Sequence, residues 1–240
     1  MKYTWIALAL MISGCHINMN SGDDINGNGV IKKETRNLGG FTGVEVAGPF
    51  EIMLVQGSSF GVEIEGDENL LQYIDVIKHN GNVEISEKDG YDLHSKRGIK
   101  IRVLLMEVNE VSVSGSGSVT SEAPVSSPDK MQLDIAGSGD LNLDVKAPNV
   151  SVGIGGSGKA TVSGSCRKLH VAIGGSGDCF AEDLLSEECE ASIGGSGTAR
   201  VYASVSLKGS VGGSGDIFYK GKPKNVSKSI GGSGSIEPIN

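Results

Sequence analysis

The feature that most constrains this chain is Gly-Ser-Gly, which returns seven times with its first glycine at Gly115, Gly137, Gly156, Gly175, Gly195, Gly213 and Gly232. Its closing glycines are Gly117, Gly139, Gly158, Gly177, Gly197, Gly215 and Gly234. The successive intervals are 22, 19, 19, 20, 18 and 19 residues. A period that regular means one supersecondary unit stacked on copies of itself, each burying its apolar face only against its neighbours.

The columns around the glycines identify the unit. Just before each corner sit Ile135, Ile154, Ile173, Ile193, Val211 and Ile230, and four positions earlier come Met131, Val150, Leu169, Cys189, Leu207 and Val226. Leu133, Val152, Val171 and Ala191 lie between them. Two residues after the motif the alternation resumes with Leu141, Ala160, Cys179, Ala199, Ile217 and Ile236. A two-residue apolar period is that of a half-buried strand, so each repeat holds two short strands hinged at glycine. The polar remainder, such as Ser163 to Lys168, supplies a third side. The expected fold is therefore all-β, a single-stranded parallel β-helix of about 19 residues per rung, with rungs about 4.8 Å apart. Right-handed winding is the expected hand for parallel crossovers. Glycine at the corner points to positive φ or to a bend with no room for a Cβ.

Ahead of the regular rungs, which start near residue 113, short strands alternate with turns: Val44–Val46, Phe50–Val55, Val62–Ile64, Val83–Ile85 and Ile99–Leu104. They read as irregular first rungs and a cap, with a helical turn at Glu68 to Tyr73. A solenoid needs capping, so residues 38–240 form one domain. Residues 1–14 read as an export signal: Lys2, the apolar run Trp5 to Ile12, then Ile12-Ser13-Gly14-Cys15. The last four residues resemble the bacterial lipobox, which implies cleavage before Cys15 and its lipidation, with acyl chains holding the protein on a membrane. The expected location is the cell envelope, at the outer membrane. Residues 15–37, rich in Asn, Gly, Asp and Ser, read as a flexible tether.

Without Lys2 the chain keeps 20 basic and 29 acidic residues, a balance that argues against nucleic acid as a partner. Three cysteines follow Cys15, an odd number for an exported protein. Cys179 and Cys189 fall in inward columns as small apolar residues, and Cys166 falls in the polar side.

Several chemistries can be weighed on the residues. The glycine corners lack the Lys-Ser/Thr ending of a phosphate loop and open no helix. Asp178 sits one place away from the aspartate of calcium-binding nonapeptide repeats, and the period is twice too long. Asp24-Ile25-Asn26-Gly27-Asn28-Gly29 matches the opening of an EF-hand loop, but its twelfth position is Thr35 and Glu34 is one residue short. No metal and no cofactor is expected. After each corner comes an outward ladder: Ser118, Asp140, Lys159, Asp178, Thr198, Asp216 and Ser235. Asp140 and Asp178 would stand two rungs apart, about 9.6 Å, near the separation of two glycosidase carboxylates. Lys159 between them favours simple spacing of like charges. No catalytic set can be nominated from His16, His79, His94 and His170, which are scattered along the sequence.

Residues from about 26 to 240 resemble the auto-transporter adhesin head domain, also called the GIN domain, of bacterial envelope proteins. The resemblance rests on Asn28-Gly29-Val30, Glu34-Thr35-Arg36, Phe41-Thr42-Gly43-Val44, Val55-Gln56-Gly57, Gly66-Asp67-Glu68-Asn69-Leu70-Leu71 and the Gly-Ser-Gly repeats. It implies a β-helical, exported, often lipid-anchored protein and transfers no catalytic residue. The expected function is a non-enzymatic envelope lipoprotein whose β-helical surface serves adhesion or another surface interaction, with a glycan or a protein as the candidate ligand. The alternatives are a polysaccharide-acting enzyme on the same scaffold and a periplasm-facing structural lipoprotein.

Overall fold

A computed structural model describes residues 22–239. The signal segment, Cys15 and His16 lie outside the described residues. The strands are β1 (Asp23–Asn26), β2 (Ile31–Arg36), β3 (Gly43–Ala47), β4 (Glu51–Gln56), β5 (Gly61–Asp67), β6 (Ile74–His79), β7 (Asn82–Glu87) and β8 (Tyr91–His94). Next come β9 (Lys100–Leu105), β10 (Glu110–Gly115), β11 (Ser118–Ser121), β12 (Val125–Ser126), β13 (Lys130–Gly137), β14 (Asp140–Ile154) and β15 (Lys159–Ile173). The chain closes with β16 (Asp178–Leu185), β17 (Glu188–Ile193), β18 (Thr198–Tyr202), β19 (Ser206–Val211), β20 (Asp216–Lys220), β21 (Asn225–Ile230) and β22 (Ser235–Pro238).

The fold is a parallel β-solenoid. One wall stacks β7, β3, β10, β13, the second halves of β14 and β15, β17, β19 and β21 in parallel register. The next wall stacks β9, β4, β11, the first halves of β14 and β15, β16, β18, β20 and β22. Inward residues pack as the period predicts: Ile135, Ile154, Ile173 and Ile193 stack on one another and are buried. The third side is less polar than its sequence suggests, because Val125, Val145 and Leu184 point inward and are buried. The 20-residue interval between Gly175 and Gly195 is absorbed by a bulge, where Thr161 and Ser163 face Phe180 and Asp183.

Spatial order departs from chain order at the first rungs. The rung of β3 and β4 lies between that of β7 and β9 and that of β10 and β11. The intervening chain builds the cap: β5 runs antiparallel to β9 and β2, and β6 antiparallel to β7. Asn80-Gly81 turns β6 into β7 with φ of 50° and 88°, the conformation of a two-residue hairpin loop. A single 3₁₀ turn, Leu71–Tyr73, occupies the expected helical stretch.

The tether expected through residue 37 is shorter, because β1 pairs with β8 and β2 with β5. Such edge pairing rests on backbone hydrogen bonds and needs no apolar alternation. The turn between β1 and β2 is held by polar side chains. Asp67, buried at 1% exposure, accepts from Gly29 N at 2.6 Å and from Ser95 Oγ at 2.7 Å. Asn69 accepts from Asn28 N and donates to the Asn26 carbonyl, both at 2.9 Å.

Positive φ explains only Gly115 and Gly137 among the Gly-Ser-Gly glycines. At the others the preceding rung fills the space. A Cβ on Gly175 would stand 2.3 Å from the Gly156 carbonyl oxygen, and one on Gly177 2.5 Å from that of Gly158. The glycines let successive rungs touch backbone to backbone.

Candidate functional site

A groove of about 880 Å³ runs along the outer face of the first wall, from β13 across β14, β15, β17 and β19 to β21. Parallel register lines its side chains into two rows. One is Lys130, Asn149, Lys168, Glu188, Ser206 and Asn225; the other is Gln132, Ser151, His170, Glu190, Lys208 and Ser227. Five steps of strand spacing give it a length of about 24 Å. The rows exist because every second residue of a strand faces outward, here alternating with Met131, Leu133 and Ile135, which are buried, and with their buried equivalents on β14, β15, β17 and β19.

Charges in the groove are mostly paired. Lys208 Nζ reaches Glu190 Oε1 at 2.6 Å and Lys168 Nζ reaches Glu188 Oε2 at 3.1 Å. The bond from Lys208 holds the Glu190 carboxyl below its ordinary range, so Glu190 stays ionised and is poorly suited to act as a proton donor. The neutral members, Gln132, Asn149, Ser151 and Ser206, offer donors and acceptors at regular spacing.

The corner ladder occupies the neighbouring wall. Ser118, Asp140, Lys159, Asp178, Thr198, Asp216 and Ser235 are successive partners in register. Asp178 Oδ1 accepts from Thr198 N at 3.0 Å, and Asp216 Oδ1 accepts from Ser235 N at 2.8 Å and its hydroxyl at 2.7 Å. These two carboxylates tie one rung to the next, a use that neither charge spacing nor acid catalysis anticipates.

The thiols of Cys166, Cys179 and Cys189 are free. Burial pushes Cys166 and Cys179 up to about 12, and Cys189 also upward. None is a thiolate near neutral pH, so none is poised as a nucleophile. His170 lies in the groove, His79 ends β6, and His94 ends β8, where its Nε2 sits 2.9 Å from Asp24 Oδ1. Asp24, Asp92 and His94 form a cluster with donor atoms within 4.8 Å of one another.

Sequence reading found the corner ladder and passed over the groove rows. Their residue types follow no motif; the only signal was their place in the outward half of an alternation.

Charge is unevenly distributed. Residues 200–240 carry six Lys and Arg against two Asp and Glu, whereas residues 22–199 carry 14 against 27. The solenoid is thus acidic along most of its length and basic toward its C-terminal end.

Comparison with known proteins agrees with this architecture. A crystal structure titled "putative adhesin" from Bacteroides fragilis NCTC 9343 superposes with a TM-score of 0.84 at 24% identity, covering 90% of this chain and 100% of that one. One titled "Putative lipid binding protein" from Parabacteroides distasonis ATCC 8503 gives 0.77 at 27% identity over 91% and 100%. A further "putative adhesin", from Parabacteroides merdae ATCC 43184, gives 0.62 at 22% over 91% and 100%. No curated protein matches. The family model described as "Putative auto-transporter adhesin, head GIN domain" matches residues 40–223, and the chain belongs to that family.

Proposed function

We propose that this protein is a non-enzymatic, lipid-anchored component of the bacterial cell envelope that uses its outer β-helical face as an adhesive surface. The observation that carries the reading is the pair of outward rows held in register across six stacked strands. A solenoid presents such rows with little rearrangement, so binding sacrifices little conformational freedom. Family membership and the solved adhesin-like relatives support a surface role. The relative titled as lipid binding fits work at a lipid surface. The lipobox ending at Cys15 supports attachment to the outer membrane. The ligand class that fits the groove is an extended glycan or peptide with hydroxyls or amides at regular intervals.

The test uses cells making the full chain or the triple variant Gln132→Ala, His170→Ala, Lys208→Ala. Surface exposure is read by protease digestion of intact against permeabilised cells, and adhesion by cell retention on matrix and glycan coatings. Digestion on intact cells, with retention lost in a normally folded variant, is the expected outcome. Protection on intact cells, or retention unchanged in the variant, would overturn the reading.

A further inference from the structure

The stretch that imitates a calcium loop folds as something else. Asp24 to Asn26 lie in β1, and the Asn28 side chain accepts from Val30 N at 2.9 Å instead of turning toward a cation. Asp24 nonetheless meets two donors distant in sequence. β1 and β8 form a two-stranded parallel sheet of their own, with Asp24 opposite Asp92 and Asn26 opposite His94. Residues two apart on a strand share a face, so Asp92 and His94 project on the same side, and Asp24 reaches His94 across the ribbon.

We propose that Asp24, Asp92 and His94 form a binding site for a first-row divalent cation such as Zn²⁺. Three protein ligands, one imidazole nitrogen and two carboxylate oxygens, suit such an ion and leave coordination positions for water. The donor atoms already lie within 4.8 Å of one another, so small side-chain rotations close the set. A hollow of about 650 Å³, lined by Asn26, Asp92, His94 and Ser95 among others, leaves room beside it. The ladder itself calls for positive charge. Asp24 and Asp92 stand directly opposite each other, an arrangement that is unfavourable between like charges. Lys96, also in the hollow, is the nearby opposing charge.

The consequence is mechanical. The ribbon attaches the N-terminal arm to the body through backbone bonds such as Asp23 N to the Gly90 carbonyl, 2.8 Å, and Gly27 N to that of His94, 2.9 Å. A shared ion pins the arm where it leaves the solenoid.

The experiment is calorimetric titration of residues 22–240 with ZnCl₂ at pH 7.5, paired with amide hydrogen exchange. One zinc per chain, at least about tenfold weaker binding in Asp92→Asn and His94→Ala, and slower exchange over residues 23–27 on zinc addition are expected. Zinc uptake equal in parent and variants, or uptake without protection of β1, would overturn the site. Since Asp92→Asn is nearly isosteric and exposed, it separates lost coordination from lost folding.

Discussion

Alanine at two adjacent glycines, Gly194 and Gly195, should have opposite effects on stability. A Cβ on Gly195 would stand 1.9 Å from the Gly175 carbonyl oxygen and 2.8 Å from its carbon, whereas one on Gly194 would meet nothing nearer than the Ile173 carbonyl oxygen at 3.8 Å. Neither glycine has positive φ, so conformational strain does not distinguish them. Relieving the Gly195 clash requires the rungs to part by more than about 1 Å where backbones stack about 4.8 Å apart. That lengthens the bonds from Ser196 N to the Gly175 carbonyl, 3.0 Å, and from Gly194 N to the Ile173 carbonyl, 2.8 Å. At about 1 kcal/mol for each of the two bonds and a further 1–3 for displaced packing, Gly195→Ala should cost about 3–5 kcal/mol. For a domain of this size the midpoint falls by about 6–20 °C. Gly194→Ala should be neutral or stabilising by up to about 1 kcal/mol, because alanine restricts the unfolded chain. Thermal and urea unfolding of both variants is the assay. Equal losses would refute the argument that the preceding rung excludes the side chain.

Two further outcomes follow from the ends of the solenoid. Lys228 occupies the inward column continued from Val171, Ala191 and Gly209, and its Nζ bonds the Ile236 carbonyl beneath the last rung. A charge there discourages edge-to-edge pairing, so Lys228→Val, beside exposed Val226 and Ile230, should produce concentration-dependent dimers in light scattering, and a strictly monomeric variant would refute this. In the cap, the Ser95 hydroxyl and the Gly29 amide hold the Asp67 carboxyl below its ordinary range. Its contribution to stability is therefore present above the unfolded carboxylate pKa, about 3.9, and is lost as pH falls through the lower folded value. Asp67→Asn should flatten the acid limb of the stability profile, and an unchanged limb would argue against it.

Much of the solenoid was legible because its interactions are nearly one-dimensional. A side chain in a strand points in or out by parity, and each rung packs on the next copy of the same pattern. The columns through Ile135 and Leu141 and the Asp140–Lys159–Asp178 ladder could thus be aligned before any coordinates. The outward rows of the groove followed the same parity but carried no motif to mark them as a site.

The sequence by itself determined the period, the buried columns and the corner positions, since strand alternation and apolar burial act over a few residues and repeat. Tertiary structure decided that the rung of β3 and β4, first in the chain, lies second in the stack behind that of β7 and β9, that residues 23–36 pair instead of dangling, and that Asp24 meets His94 across 70 positions. An open strand edge accepts any backbone of suitable register, parallel or antiparallel. That choice depends on which edges the rest of the fold leaves exposed, and no local alternation of residues encodes it.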